Sequence, residues 1–378
     1  MAIQLRPNSY ICDSVSDGAE RSFVVYTSDF EVELKVANYV LYLQARGLSS
    51  KTLAQYVPKV VAFLNWCADQ RLHWTEVSAP DLWRYAQSVD QRTTGTTGRP
   101  LSKATADMYL LVMTQFVSFA ASMGYVDPEL ERAVYGQRLV PLASKPKQFQ
   151  VVRARVKRLR RGRQHSRMPR TVSDRSWDKL LQTAGTNQQT LILRLAHDYG
   201  LRSGEILSLK LSDFHIGWSR ADSCRIDGSH IHVRGKATNG RRDVRAKSLD
   251  DRWLPLRANA VDALRDYVAE RTLRGANTTD YLIVNMTQAI GIPMSYSNLE
   301  RMMRRLRTRA GTSDHTLHTH RHTFGTNLND RARSSILEIA EMMGHRSPNS
   351  SKIYVHPSRE RRLEALRKAH GFLSTENL

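Results

Sequence analysis

HTHRHTFGTNL, residues 318–328, sets three histidines and an arginine within five positions. On a helix, His318 and Arg321 share a face, and His322 returns one turn after His318. A planar guanidinium can hold two phosphate oxygens at once, so Arg321 among imidazoles suits an anionic ligand. The rival is a metal cluster of His315, His318, His320 and His322, because zinc accepts histidines at i and i+4. Arg321 in their midst repels a cation, and neither a nearby cysteine nor an obvious carboxylate completes such a set. The arginine favours phosphate, and no metal is expected here.

Downstream, MMGHRSPNSSKIYVH (342–356) carries His345 and, nine residues later, Tyr354. A single tyrosine in such a run is ordinarily a half-buried aromatic. Upstream, DYGLRSGEILSL (198–209) holds Arg202 and Glu205 three apart, a spacing at which the carboxylate can orient the guanidinium. Taken alone, that pair would be a helix-surface ion pair. Between these motifs HIHVRGKATNGRRDVRAKSLDDRWLPL (230–256) reads as strand, long polar turn and strand, a hairpin with an enlarged tip. Lys236 stands at a Gly-Lys turn between the strands, and Lys247 lies further along the same tip.

In sequence order these pieces resemble the catalytic domain of the tyrosine recombinases, the phage integrase family. They match its Gly-x-Arg-x-x-Glu, its His-x-x-Arg-His, and its Gly-His followed nine residues later by tyrosine. The resemblance runs over about residues 173–360. It implies a catalytic set of Arg202, Lys236, His318, Arg321, His345 and Tyr354, supported by Glu205 and His322, with Lys247 the alternative if an insertion shifts the hairpin register. Arg202 and Arg321 would neutralise the nonbridging oxygens of a scissile phosphate. Nearby cationic groups would favour the Tyr354 phenolate, which would attack to give a 3′-phosphotyrosine. Lys236 would protonate the departing 5′-oxygen. His318 would accept or relay the tyrosine proton, and His345 would bind a phosphate oxygen. No metal, ATP or other cofactor is implied. His320 stands where relatives usually carry an apolar residue. The implied partners are double-stranded DNA, further copies of the chain in a tetramer on two DNA sites, and accessory DNA-bending proteins. Rival readings are a type IB topoisomerase and a catalytically silent DNA-binding regulator.

The first half is helical in pattern. FEVELKVANYVLYLQARG, from Phe30, places Val32, Val36, Tyr39, Val40 and Leu43 on one face and ends at Gly47. Ser49 or Ser50 can cap a second helix, which Pro58 should kink or divide. A third helix starts near Pro80, and a fourth follows the TTGTTGRP loop. These four make a helical bundle over residues 29–140, in the position of the family's core-binding domain. Residues 1–28 show no sustained period and read as an irregular arm.

Residues 141–170 read as a basic linker; Lys145 to Arg170 contains eleven Lys or Arg and no acid. Arg153, Arg155, Lys157, Arg158, Arg160, Arg161 and Arg163 are its candidate phosphate contacts. The catalytic domain is expected over 171–360, with Ser173 capping its first helix and later helices at 259–273, 297–310, 318–330 and 334–344. A C-terminal helix or tail would occupy 361–378. The fold class expected is mainly α, with a small hairpin or sheet in an α+β catalytic domain.

Composition agrees. The 378 residues carry 57 Lys and Arg against 36 acids, a net charge of +21, a field that favours a polyanion such as nucleic acid over a neutral partner. No stretch reads as a transmembrane span or as a leader peptide, and no membrane partner is expected. Cys12, Cys67 and Cys224 are odd in number and far apart, which argues for a reducing, cytoplasmic setting without disulfides or a Cys-based zinc site.

Overall fold

The computed structural model describes residues 9–16, 21–94, 98–142, 145–155, 159, 169–217, 224–241, 244–248, 250–312, 315–355, 363 and 366. The chain forms two compact units, Met1–Ser166 and Arg167–Leu378. Each has its own apolar core.

The first unit opens with an antiparallel hairpin of β1 (Tyr10–Ser16) and β2 (Arg21–Thr27), where an irregular arm was expected. Phe23 and Val25 alternate into the core, and the Asn65 side chain bonds both the N–H and the carbonyl of Tyr10. Apolar residues stand on both faces, with Ile11, Val15, Val24 and Tyr26 opposite the face of Cys12, Phe23 and Val25, so no clean alternation marks these strands in the sequence. Helix α1 (Leu34–Ala45) buries Val36, Tyr39, Val40 and Leu43 as expected. Val32 stays outside it, paired with Tyr26 in an isolated bridge and 43% exposed.

Helix α2 (Ser50–Asp69) is capped by Ser49, whose hydroxyl accepts the Thr52 N–H. It runs through Pro58 as one element of 20 residues, where a kink or join was expected. Burial of Val57, Val60, Val61 and Leu64 offsets the one backbone bond that proline removes. Helix α3 (Ala79–Gln91) starts with a Ser78–Asp81 capping box and Pro80 in its first turn. Helix α4 (Lys103–Ser122) supplies the centre of the core; Phe116 meets the rings of Tyr39 at 5.2 Å and Trp74 at 5.1 Å. By length and composition α4 alone among the described helices could cross a membrane, where no span was expected. Its Leu110, Met113, Phe116, Val117 and Ala120 are instead packed inside the bundle.

A short helix α5 (Leu130–Val134) leads into a second hairpin, β3 (Tyr135–Leu142) with β4 (Lys145–Arg155). This corrects the reading of residues 141–170 as a basic linker throughout. Lys145–Arg155 is a paired strand, and Leu159 is wholly buried in the first unit's core. A charge run can hide a strand because the ladder is made by the backbone, which carries none of that charge.

The second unit begins with α6 (Asp174–Gln182), capped by Ser173, then α7 (Asn187–His197), a largely buried helix, and α8 (Ser203–Ser208). A three-stranded antiparallel sheet follows in the order β5 (Phe214–His215), β6 (His230–Val233), β7 (Arg252–Pro255). The hairpin of β6 and β7 pairs His230 with Pro255 through to Val233 with Arg252, as the sequence suggests. Strand β5 was not foreseen, since two residues are too few to show alternation. Helices α9 (Ala258–Leu273), α10 (Tyr296–Ala310), α11 (Leu317–Asp330) and α12 (Ile336–Met342) complete the unit, with a 3-10 turn at Pro348–Tyr354. The last helix starts two residues later than expected because Ser335 forms its capping box with Glu338. Of the expected C-terminal helix only Leu363 and Leu366 are described.

Candidate active site

The site is built around one carboxylate. Glu205, in α8 and almost fully buried, receives guanidinium contacts from three directions. Arg202 donates Nη1 to Oε1 at 2.9 Å and its backbone N–H to Oε2 at 2.9 Å. Arg252, from β7, forms a fork with both oxygens at 3.2 and 3.0 Å. Arg321, from α11, stands 3.8 Å away, and the Ser248 hydroxyl donates to Oε1 at 2.8 Å. Burial works against this carboxylate, but the charges and hydrogen bonds of Arg252, with Arg321 and Arg202, bring its pKa down to about 2.

Three guanidiniums against one carboxylate leave a surplus of positive charge. Backbone carbonyls absorb part of it. Arg321 donates to the carbonyls of Gly200 and Met343, Arg252 to Met342, and Arg202 weakly to Met343 and Gly344. Burial and the neighbouring Arg202 push Arg321 down to about 9, still cationic at neutral pH. Gly200 takes φ +62°, and a Cβ there would lie 2.3 Å from the Phe324 ring. Only glycine lets this carbonyl reach Arg321.

Arg202, Ser203, Gly204, Arg245, Lys247, Tyr296, Leu317, His318 and Arg321 line an open cleft of about 250 Å³. Both arginines of the sequence motifs therefore line one open cleft. From His318 a chain of rings leads to Tyr354. The His318 and His322 rings are edge to face at 4.2 Å, and His322 Nδ1 lies 3.0 Å from the Tyr354 hydroxyl. His345 stacks on Tyr354 with centroids 6.1 Å apart and bonds Ser351 Oγ through Nδ1 at 2.8 Å. Tyr354 itself is 3% exposed. Its ring packs on Gly325 of α11, where a Cβ would come within 2.9 Å of it.

These contacts alter two expectations. Arg321 and Arg202 pull on the phenol, but burial dominates and raises the Tyr354 pKa, so cationic neighbours do not by themselves yield a phenolate. The imidazole on the hydroxyl is that of His322, with His318 one ring away. Burial and nearby charge hold His322 and His345 down at about 4 and depress His318 as well. All three are neutral at pH 7 and able to accept a proton.

The two candidate lysines are both exposed but differently placed. Lys236 sits at φ +55° in the turn beyond β6, its N–H on the Ser248 carbonyl at 2.8 Å. Lys247 lines the cleft beside Arg202 and Arg321. His320 is not in the cleft. It bonds His197 at 3.0 Å under the Trp177 ring, a buried neutral pair. Sequence reasoning missed Arg252 and Ser248, which lie in no motif and reach Glu205 only because the hairpin folds back over α8. Among the basic run, Arg155 corrects its expected role, since it pairs with Asp107 of α4 at 2.7 Å and donates to the Leu159 carbonyl. The strand turns its side chain inward to the bundle. Arg153 is backbone-paired in β4, and Lys157, Arg158, Arg160, Arg161 and Arg163 lie outside the described residues.

A family model described as the phage integrase family matches residues 170–361, and one described as the phage integrase N-terminal SAM-like domain matches residues 36–124. Tyrosine recombinase XerC of Oceanobacillus iheyensis is 24% identical over 356 residues, 90% of this chain and 97% of that protein. Tyrosine recombinase XerC of Listeria welshimeri is 25% identical over 215 residues, 54% of this chain and 63% of that protein. The match to the Listeria protein thus spans less than two thirds of its length. The crystal structure of XerH site-specific recombinase bound to palindromic difH substrate shares the fold at a TM-score of 0.58 with 19% identity, over 88% of this chain and 84% of the other.

Proposed function

This chain belongs to the phage integrase family, and on that premise we propose that it is a site-specific recombinase that cuts and rejoins double-stranded DNA through Tyr354. The observation that carries the reading is the run of contacts from the arginine-walled cleft through His318 and His322 to the Tyr354 hydroxyl. A scissile phosphate in the cleft lies against Arg202 and Arg321, which stabilise the added charge of the pentacoordinate state. The Tyr354 proton passes to His322, with His318 beside it, and the phenolate oxygen bonds to phosphorus. His345, seated beside the tyrosine, bonds a phosphate oxygen.

The 5′-oxygen leaves and takes a proton from a lysine of the hairpin. Lys236 is nominated by its turn, and Lys247 by its place in the cleft. The 3′-phosphotyrosine conserves the phosphodiester's energy, so a 5′-hydroxyl from a second site reverses the step. Exchange between two duplexes needs four such cuts, hence four copies of the chain on two sites. The work belongs in the cytoplasm on bacterial or mobile-element DNA, with accessory DNA-bending proteins bringing sites together.

The reading is tested by giving the protein a supercoiled plasmid bearing two copies of an inverted-repeat site selected from random-sequence DNA by its binding to the chain. Recombination predicts deletion or inversion of the segment between the sites. Relaxation of the plasmid without exchange would assign it the topoisomerase activity instead.

A further inference from the structure

Away from the arginine cleft, three elements of the second unit direct soft or borderline donors at one point. His215 comes from β5, His230 and His232 from β6, and Cys224 from the segment that joins them. Their donor atoms all lie within 4.8 Å of one another. Cys224 Sγ is 3.2 Å from His230 Nε2 and 3.4 Å from His232 Nε2, and those two nitrogens are 3.1 Å apart. A tetrahedral zinc ion with ordinary bond lengths separates its ligand atoms by about 3.3–3.6 Å. Cys224, His230 and His232 are already near that spacing, and the His215 donor lies within 4.8 Å of theirs.

The tautomers agree as well. His230 Nδ1 lies 2.7 Å from the Gly228 carbonyl, so that nitrogen carries the proton and Nε2 offers its lone pair to the cluster. A backbone carbonyl fixing the far nitrogen of an imidazole is the usual orienting contact behind a metal-bound histidine. His230 is buried, and the other three are half-buried. Four donors without an open position fit a closed structural site rather than a catalytic one. The sequence concealed this, because attention to three scattered cysteines overlooks a set made mainly of histidine, His215, Cys224 and His230-x-His232.

We propose that His215, Cys224, His230 and His232 bind one zinc ion that fastens the β5–β6 connection to the sheet. Binding displaces the Cys224 thiol proton to solvent and leaves a thiolate on the metal. The ion takes no part in strand cleavage. It stiffens β6, the strand that leads into the hairpin carrying Lys236 and Lys247. A network of hydrogen bonds alone would account for the same short distances, and it makes the opposite prediction for metal content.

The test uses the full chain, expressed with zinc in the medium and purified without a histidine tag or chelator. Elemental analysis should find one zinc per chain. Cys224→Ser and His232→Ala should each lose most of it while keeping the wild-type circular dichroism. Cobalt titrated into the apo-protein should give intense tetrahedral ligand-field bands and a thiolate charge-transfer band that Cys224→Ser removes. A wild-type chain without zinc that also gives no tetrahedral cobalt spectrum would overturn the proposal. So would full zinc retention in Cys224→Ser, or saturation by a different metal.

Discussion

Glu205 is the residue on which the cleft depends. It holds Arg202, Arg252 and Arg321 in register without cancelling their combined charge, so the surplus remains for a phosphate. Glu205→Gln keeps the shape and removes the charge, leaving the buried Arg252 and Arg321 and the half-buried Arg202 facing one another. Breaking such a buried pair from one side costs about 3–5 kcal/mol, and thermal unfolding should show a loss of that order together with weakened DNA cleavage. A second residue-level consequence follows from the imidazoles. His197, His322 and His345 are each held at about 4 by burial, below the ordinary 6.5. Between those values the unfolded chain binds more protons than the folded one, so acid favours unfolding. The stability these groups contribute is present above about pH 6.5 and is lost as pH falls toward about 4. Tm should therefore be level near neutrality and drop on acidification to about pH 5; a level or rising Tm there would show that these rings are protonated in the folded chain. Arg202, Glu205, Arg321 and Tyr354 were legible in the sequence because each sits in a motif with fixed spacing. Arg252 was not, because its role depends on a fold-back across 47 residues.

At the scale of elements, the hairpin of β6 and β7 is the part whose strands were legible and whose tip was not. Period and turn residues located both strands, but nothing local says which lysine of a long tip meets the cleft. Lys247 lines it and Lys236 occupies the left-handed turn. A substrate with sulfur at the bridging position separates them, since that leaving atom needs no proton. Loss of cleavage in Lys247→Ala, restored by the sulfur substrate, would assign the donor to Lys247; the same rescue in Lys236→Ala would return it to the turn. The 3-10 turn of Pro348–Tyr354 makes a similar point. Its motif spacing marked the tyrosine but not its seat, which exists only because Gly325 leaves room for the ring. Gly325→Ala should force that ring off its position, costing about 1–3 kcal/mol as overpacking, and should slow cleavage with little change in DNA affinity.

Across the described residues, the long helices were read within a few residues, because long amphipathic periods survive in sequence, whereas the five-residue α5 was not foreseen. The two N-terminal hairpins were missed, the first because apolar residues stand on both of its faces and the second because a run of basic residues overlies its strand. The net charge of +21 favours DNA without saying which arginines touch it, and Arg155 is a warning, being committed to Asp107. Arg158, Arg160, Arg161 and Arg163 are four of the six candidates that remain in that run. Replacing all four with Gln should weaken binding to specific and random DNA alike. It should also flatten the dependence of log affinity on log salt by about 0.9 for each phosphate that is no longer neutralised; an unchanged slope would mean that the run does not touch phosphate. The central claim is that Tyr354 becomes covalently joined to DNA. A duplex nicked close to the crossover traps the chain, because the cleaved end diffuses away and the reverse step has no nucleophile. After trypsin, the trapped chain should carry its nucleotide adduct on the peptide from Ile353 to Arg359, and Tyr354→Phe should give no adduct while still binding DNA. An adduct on any other peptide, or trapping of the Phe variant at the wild-type level, would contradict the account.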